Sequence, residues 1–406
     1  MRVRLGYLLL AGGLAAGGLA AGGLAVASLA VVRQIVRTNA PRRERLRVLA
    51  VDDVSSLPNT VTLPLNEATR APGQYSIWFD SGRGYAQLGG ILAVDERAST
   101  VTRAVVNSRG APFRAGVSAR WSGVVPSRAG DVGLPFRAVT VPTELGPAPA
   151  YRFDAPIDRP PASTWAIHIH GQGASRAGPL RGVPVAHRAG LTSLVVSYRN
   201  DHEAPSSRDR KSMLGQTEWR DIDAALEYAV AHGAEKIILV GWSMGATIAL
   251  QLTRSSQHRK RIAGLCLIAP VVDWRATILA AGRRARVPAP VTRVALWALE
   301  SPVWRLATGL QQSMRLSDLN WIDNGADLNV PTLVLHSSGD RSVPIALSQA
   351  FADVHTEMIE LVTLPPAPHT LEWNRSPHLW ESALSDWLHR LQLPVSKRPA
   401  RGETSA

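Results

Sequence analysis

Apolar positions recur with three different rhythms along this chain, and each rhythm predicts a different architecture. From Leu5 to Val32 they are nearly continuous, with glycine and alanine between them and no charge. As a helix that run would measure about 42 Å, against about 30 Å of bilayer hydrocarbon. It predicts a transmembrane helix or uncleaved signal anchor over 5–32. From about Thr60 to Val141 the apolar residues come in short alternating runs, such as Gln74–Phe79, Tyr85–Leu88, Gly90–Val94 and Thr100–Val106, with a turn at Asp80–Gly84. Period-two alternation broken by turn residues predicts strands. Residues 59–150 therefore read as a small β-rich domain, reached through a basic linker over 33–58.

The third rhythm begins near Ala162. Apolar strands at Thr164–His170, Leu191–Tyr198, Lys236–Val240, Ile262–Ile268, Thr332–His336 and Met358–Thr363 alternate with helical segments. Between Glu218 and His232, Ile222, Ala225, Leu226 and Ala229 fall on one helical face. A closing helix is predicted from about Pro377 to Leu391. Such alternation predicts an α/β domain over 151–393, a mainly parallel sheet with helices on both faces. A long insertion, 273–329, carries Trp297, Trp304 and Trp321. The polar tail 394–406 is predicted to be disordered.

Charge changes the picture at the amino terminus. The formal net charge is +13 and nearly all of the cations are arginines; Lys211, Lys236, Lys260 and Lys397 are the lysines. Arg33, Arg37, Arg42, Arg43, Arg45 and Arg47 follow the apolar run, whereas Arg2 and Arg4 precede it. The positive-inside rule then places the main domain of a single-pass protein on the cytoplasmic face. Ala25-Val26-Ala27 offers a small-residue cleavage site, so a secreted or extracytoplasmic product stays open. The remaining arginines are scattered, without heptads, zinc-ligand spacing or interleaved aromatics, which argues against a nucleic-acid partner. The single cysteine, Cys266, lies in an apolar run and excludes an intrachain disulfide.

Candidate chemistry centres on Gly241-Trp242-Ser243-Met244-Gly245. A strand precedes this G-x-S-x-G and a helix, Ala246–Leu252, follows it. That context makes Ser243 a nucleophile raised on a sharp turn, above a helix N-terminus that favours developing negative charge. An activated serine needs a base, an orienting acid and oxyanion donors. Asp340 lies in Ser337-Ser338-Gly339-Asp340 just past a strand, where carboxylates of parallel sheets face the site crevice. Asp273, after the strand Ile262–Ile268, is its rival. His369, in a loop stiffened by Pro365, Pro366 and Pro368, is the candidate base; His355, His378 and His389 sit in helix-like sequence. The backbone N–H groups of Met244 and of Gln172, in His170-Gly171-Gln172-Gly173, are the candidate oxyanion hole. His168-x-His170 could be read as a metal pair, but lacks further ligands nearby; His168 is expected to pack in its strand. No metal and no cofactor is expected.

Taken in order, His170-Gly-Gln-Gly, the elbow, Asp340 and His369 resemble the α/β-hydrolase family, in its serine-nucleophile branch, close to esterase, lipase and acyl-peptidase-like members. The resemblance covers about Trp165 to Leu391, and Tyr198-Arg199-Asn200 also resembles a family loop near the site. It implies the α/β-hydrolase fold, with 273–329 as a helical cap over the pocket, and hydrolysis of an ester or related acyl bond in a small-molecule substrate. Transfer of the acyl group to another acceptor, a lipid included, peptide cleavage, and a non-catalytic binding role of the same scaffold stay open. The β-rich part has no counterpart in the minimal family pattern.

Overall fold

The computed structural model describes residues 22–38, 43–54, 57–156, 163–325 and 328–391. Two sheets organise the chain. The first contains β1 (Leu46–Arg47), β2 (Ala50–Val54), β3 (Leu57–Pro64), β4 (Tyr75–Phe79), β5 (Gly84–Asp95), β6 (Thr100–Arg109) and β7 (Ser118–Ser122). Their spatial order is β1-β7-β4-β5-β6-β3-β2, with every pair antiparallel. Val61, Leu63, Ile77, Phe79, Ala86, Leu88 and Val101 form the core of this domain. The basic segment expected as a linker over 33–58 thus already contains two full strands and the start of a third, because 46–63 carries its own alternating apolar positions.

The second sheet contains β8 (Arg137–Thr143), β9 (Gly146–Phe153), β10 (Thr164–Ile169), β11 (Thr192–Val196), β12 (Lys236–Trp242), β13 (Ile262–Ile268), β14 (Thr332–Ser337) and β15 (Ile359–Leu364). The order is β15-β14-β13-β12-β10-β11-β9-β8. Strands β10 to β15 are parallel, and the β8–β9 hairpin extends the sheet antiparallel beside β11. The hairpin belongs to the larger domain, so the boundary expected at 150 falls between β7 and β8. Residues of β10, β11 and β14 are buried throughout, as strands covered on both faces must be.

Ten helices complete the described chain: α1 (22–35), α2 (Val183–Arg188), α3 (Trp219–Ala231), α4 (Met244–Ser255), α5 (Trp274–Arg284), α6 (Ala289–Glu300), α7 (Arg305–Thr308), α8 (Ile345–Val354), α9 (Glu372–Arg375) and α10 (Pro377–Arg390). One face of the larger sheet packs on α3, α4 and α8 through residues such as Ile222, Ile248 and Phe351. The other packs on α2 and α10 through Val185, Trp380 and Leu384. The predicted stripe Ile222, Ala225, Leu226 and Ala229 is the buried face of α3.

Helix α1 departs from expectation. Ser28, Val32 and Val36 lie at helical spacing and are buried in a core shared with α3, α4 and α6, and Ser28 Oγ donates to Val291 O of α6 at 3.1 Å. The expected transmembrane helix is therefore corrected over 22–32: one stripe of this helix is buried against protein, and Arg33 and Gln34 just beyond are exposed. Among the described residues no helix is long and apolar enough to cross a membrane. The rest of the expected span, 5–21, lies outside the described residues, as does the tail 394–406.

Candidate active site

The strand order places the site. Strand β11 lies on one side of β10 and β12 on the other, so the loops leaving β10 and β12 open a crevice between them at the carboxyl edge of the sheet. The register pairs Ile169 with Gly241, which brings the loop 170–173 beside Ser243. A Cβ on Gly171 would stand 3.0 Å from Ser243 Cβ.

Ser243 is the residue between β12 and α4 and has φ 53° and ψ −114°. That left-handed conformation costs a serine roughly 1–3 kcal/mol. Its surroundings hold it there. The Ser243 N–H donates to Ile268 O at 2.9 Å. A Cβ at Gly241 would meet Gly245 O at 2.5 Å, and one at Gly245 would meet Ile169 O at 2.3 Å. Both glycines are therefore required by close packing of the turn.

Ser243 Oγ donates to His369 Nε2 at 2.9 Å, and His369 Nδ1 donates to Asp340 Oδ2 at 2.6 Å. Asp340 is held on all sides. Its Oδ1 accepts from the N–H groups of Ser342 at 2.7 Å and Val343 at 3.0 Å. His336 Nε2 donates to Oδ2 at 3.2 Å, and Ser348 Oγ donates to His336 Nδ1 at 2.8 Å. Burial opposes the charge of this carboxyl. The hydrogen bonds from His336, His369 and the Val343 N–H, with the His369 charge, outweigh burial and hold it well below the usual carboxylate range. A hydroxyl, an imidazole and a buried carboxylate in line can pass a proton from the first to the second while the third stabilises the resulting cation.

The rival Asp273 is placed elsewhere: its side chain caps α5 by accepting from Ala276 N at 3.0 Å. His378 and His389 are exposed on α10, and His355 ends α8. His168 is buried in β10, with Nε2 on Ser193 Oγ at 3.1 Å; burial pushes it down to about 3. Cys266 is buried in β13.

The loop 170–173 is clamped from behind. Tyr198 Oη donates to His170 O at 3.0 Å and to Gly171 O at 3.2 Å, and its ring stacks on His170 at 4.2 Å. Asp201 Oδ2 meets His170 Nε2 at 2.7 Å. The family loop expected at Tyr198-Arg199-Asn200 therefore supports the site through Tyr198.

The pocket at Ser243 has a volume of about 190 Å3. Gln172, Pro179, Trp242, His369 and Leu371 line it, together with Gly123 and Val124, which follow β7. No described residue of 273–329 lines this pocket. The expected cap over this pocket is corrected: α5 and α6 pack into the core shared by α1, α3 and α4. The wall comes instead from the first domain, and a seam of hydrogen bonds fixes it. Asn374 Nδ2 donates to Gln74 O at 2.7 Å and Gly123 O at 2.9 Å, and Gln74 N donates to Asn374 O at 3.0 Å. Buried Arg181 bridges Asn374 Oδ1 at 2.7 Å and Thr370 O at 2.9 Å, next to His369. Burial pushes this guanidinium down to about 10. Glu372, behind the same loop, is buried with no partner for either oxygen among the described residues; burial pushes its carboxyl up, against the charges of His369 and His336. His336, Ser348, Arg181 and Asn374 escape sequence reasoning because nothing local marks them.

Comparison with known proteins identifies the fold of the larger domain. Residues 47–122 match a domain of unknown function, and residues 166–383 match the alpha/beta hydrolase family. No curated protein matches the chain. Among solved structures, an esterase of Pyrococcus furiosus is 17% identical with a TM-score of 0.50, covering 65% of this chain and 94% of that one. Est1E of Butyrivibrio proteoclasticus is 18% identical with a TM-score of 0.47, covering 63% and 98%. At 17% identity the likeness to the Pyrococcus esterase is one of fold. The family match spans more than half of the sequence and contains every residue of the hydroxyl–imidazole–carboxylate line, and the chain belongs to the alpha/beta hydrolase family.

Proposed function

We propose that this protein is a serine hydrolase that cleaves a carboxylic ester of a small molecule through an acyl-enzyme on Ser243. The observation that carries the reading is the unbroken line from Ser243 Oγ through His369 to Asp340, at 2.9 Å and 2.6 Å. His369 Nε2 takes the hydroxyl proton as Oγ attacks the acyl carbon. Asp340 keeps the Nδ1–H tautomer and stabilises the imidazolium. The carbonyl oxygen, now anionic, is received by the N–H groups of Met244 and Gln172, each worth about 3 kcal/mol in such sites. His369 returns the proton to the leaving alcohol. Water then attacks the acyl-enzyme, gives its proton to His369, and releases the acid and the serine.

Labelling with a fluorophosphonate probe and hydrolysis of p-nitrophenyl acetate test this. Wild type is expected to be labelled and active. Ser243→Ala is expected to lose the label and at least about 10^4-fold in kcat. Undiminished hydrolysis by Ser243→Ala would overturn the assignment.

A further inference from the structure

The loop that carries the Gln172 N–H closes a turn of its own, Ala174 N donating to Gly171 O at 3.2 Å, and is held further from outside. It runs between Gly171 and Gly173, and Gly173 takes a left-handed φ of +66°, so its backbone can pivot at both sides of Gln172. Tyr198 fixes the upstream side through the His170 and Gly171 carbonyls. The downstream side is fixed from outside the larger domain's own sequence. Gln172 Nε2 donates to Ile35 O at 2.7 Å and to Arg37 O at 3.2 Å. A Cβ on Gly173 would stand 3.1 Å from Thr38 O, so the segment after α1 lies directly on the loop.

Ile35 is the last residue of α1, where a helix leaves its acceptors without internal donors, and Arg37 follows two residues beyond it. The side chain of Gln172 therefore ends α1, and α1 in turn holds Gln172. The helix is a firm anchor. Val32 and Val36 are buried, Ser28 Oγ bonds Val291 O, and Ser212 N donates to Val36 O at 2.9 Å. Arg37 forms an antiparallel bridge with Lys211.

We propose that residues 35–38 are a strap for the oxyanion loop, and that Gln172 is the positioning residue through which the strap acts, its carboxamide fixing the direction of its own backbone N–H. This rests on the reading of Ser243 and its oxyanion donors given above. The strap thereby makes a segment outside the hydrolase sequence pattern a determinant of the chemical step, because a donor counts only where it meets the oxyanion and not the ground-state carbonyl.

Gln172→Met in the full chain tests it, since methionine keeps the length and the backbone N–H while removing both side-chain donors. With p-nitrophenyl acetate, kcat is expected to fall about tenfold while KM moves less than about twofold, the signature of an interaction made in the transition state. Trifluoroacetone adds to Ser243 Oγ as a hemiketal, the hydroxyl proton passing to His369 and the ketone oxygen becoming the oxyanion. Its inhibition constant is expected to rise by about the same factor. Val36→Ala loosens the strap from its other side, and the double variant is expected to be no slower than Gln172→Met alone, because the two act through one contact. Wild-type kcat and trifluoroacetone affinity in Gln172→Met would overturn the strap, as would a loss confined to KM or fully additive losses in the double variant. Each of those results leaves Ser243 labelling intact. Hydrolysis surviving in Ser243→Ala would instead remove the reading on which the strap rests.

Discussion

The two sheets use similar short strands for different ends. In the larger sheet every strand from β10 to β15 points the same way, so the segments leaving β10, β12, β14 and β15 emerge on one edge, and Gln172, Ser243, Asp340 and His369 all sit there. In the first sheet all neighbours are antiparallel, and loops emerge at both ends. It contributes no reacting group to the line. It supplies Gly123 and Val124 to the wall of the pocket and Gln74 to the seam with Asn374. Reactivity is thus collected by parallel strands, and access is shaped by loops of an antiparallel neighbour.

The largest test of that division lies within the larger sheet. Asp340→Asn is expected to lose about 10^4-fold in kcat by leaving His369 with the wrong tautomer. Asp273→Ala is expected to keep its activity and to lose about 1 kcal/mol of stability as a missing helix cap. Steady-state kinetics and urea melts of the two variants read this out, and the reverse ranking would move the acid to Asp273.

Acid sharpens the contrast next. His168 is buried in β10 and pushed down to about 3, whereas in the unfolded chain it titrates near about 6.5. The unfolded state therefore binds the proton first as pH falls. Stability from the neutral ring is complete above about 6.5 and drains toward about 3, at up to about 1.4 kcal/mol per pH unit. Urea melts between those limits should show this slope, and His168→Gln should flatten it. A buried cation of the first sheet, Arg103, meets backbone carbonyls of Thr69, Ala71, Gly73 and Gly89 and, among the described residues, no carboxylate. It adds no slope in that window, so an unchanged slope in His168→Gln would break the contrast.

The smallest effect concerns the join. Gly73 and Gly82 both have positive φ, +108° and +84°. A Cβ at Gly73 would fall 1.9 Å from Asn374 O, whereas one at Gly82 meets nothing within 4 Å. Gly73→Ala should exceed Gly82→Ala in stability loss by about 1–3 kcal/mol and should also lower kcat, since Arg181, which Asn374 Oδ1 holds, donates to the Thr370 carbonyl. Equal losses with unchanged kcat would mean that the loop is not fitted against the segment carrying His369.

Much of this site is legible in the sequence because its chemistry is local. Ser243, Asp340 and His369 each sit in a turn whose glycines or prolines announce it, just past an apolar run. The α3 stripe is legible for the same reason. Helix α1 is not, because a stripe at Ser28, Val32 and Val36 looks alike whether lipid or protein covers it. The cap misleads similarly: a tryptophan-bearing insertion shows that apolar surface must be buried and not which surface buries it. The β8–β9 hairpin is hidden because alternation identifies strands and not the sheet they join. His336 and Ser348 act on Asp340 through tertiary contacts that no spacing encodes.

The seam also dictates when the site can exist during synthesis. Gln74 and Asn374 are separated by 300 positions. At about 5–20 residues per second, a ribosome needs about 15–60 s to travel from one to the other. Within that interval the last strand of the first domain, β7, is made well before Ser243, and Ser243 emerges before its imidazole. The line from Ser243 through His369 to Asp340 can close only once the segment 369–374 has been made and has docked on Gln74 and Gly123, so the wall of the pocket is built before the group it shelters.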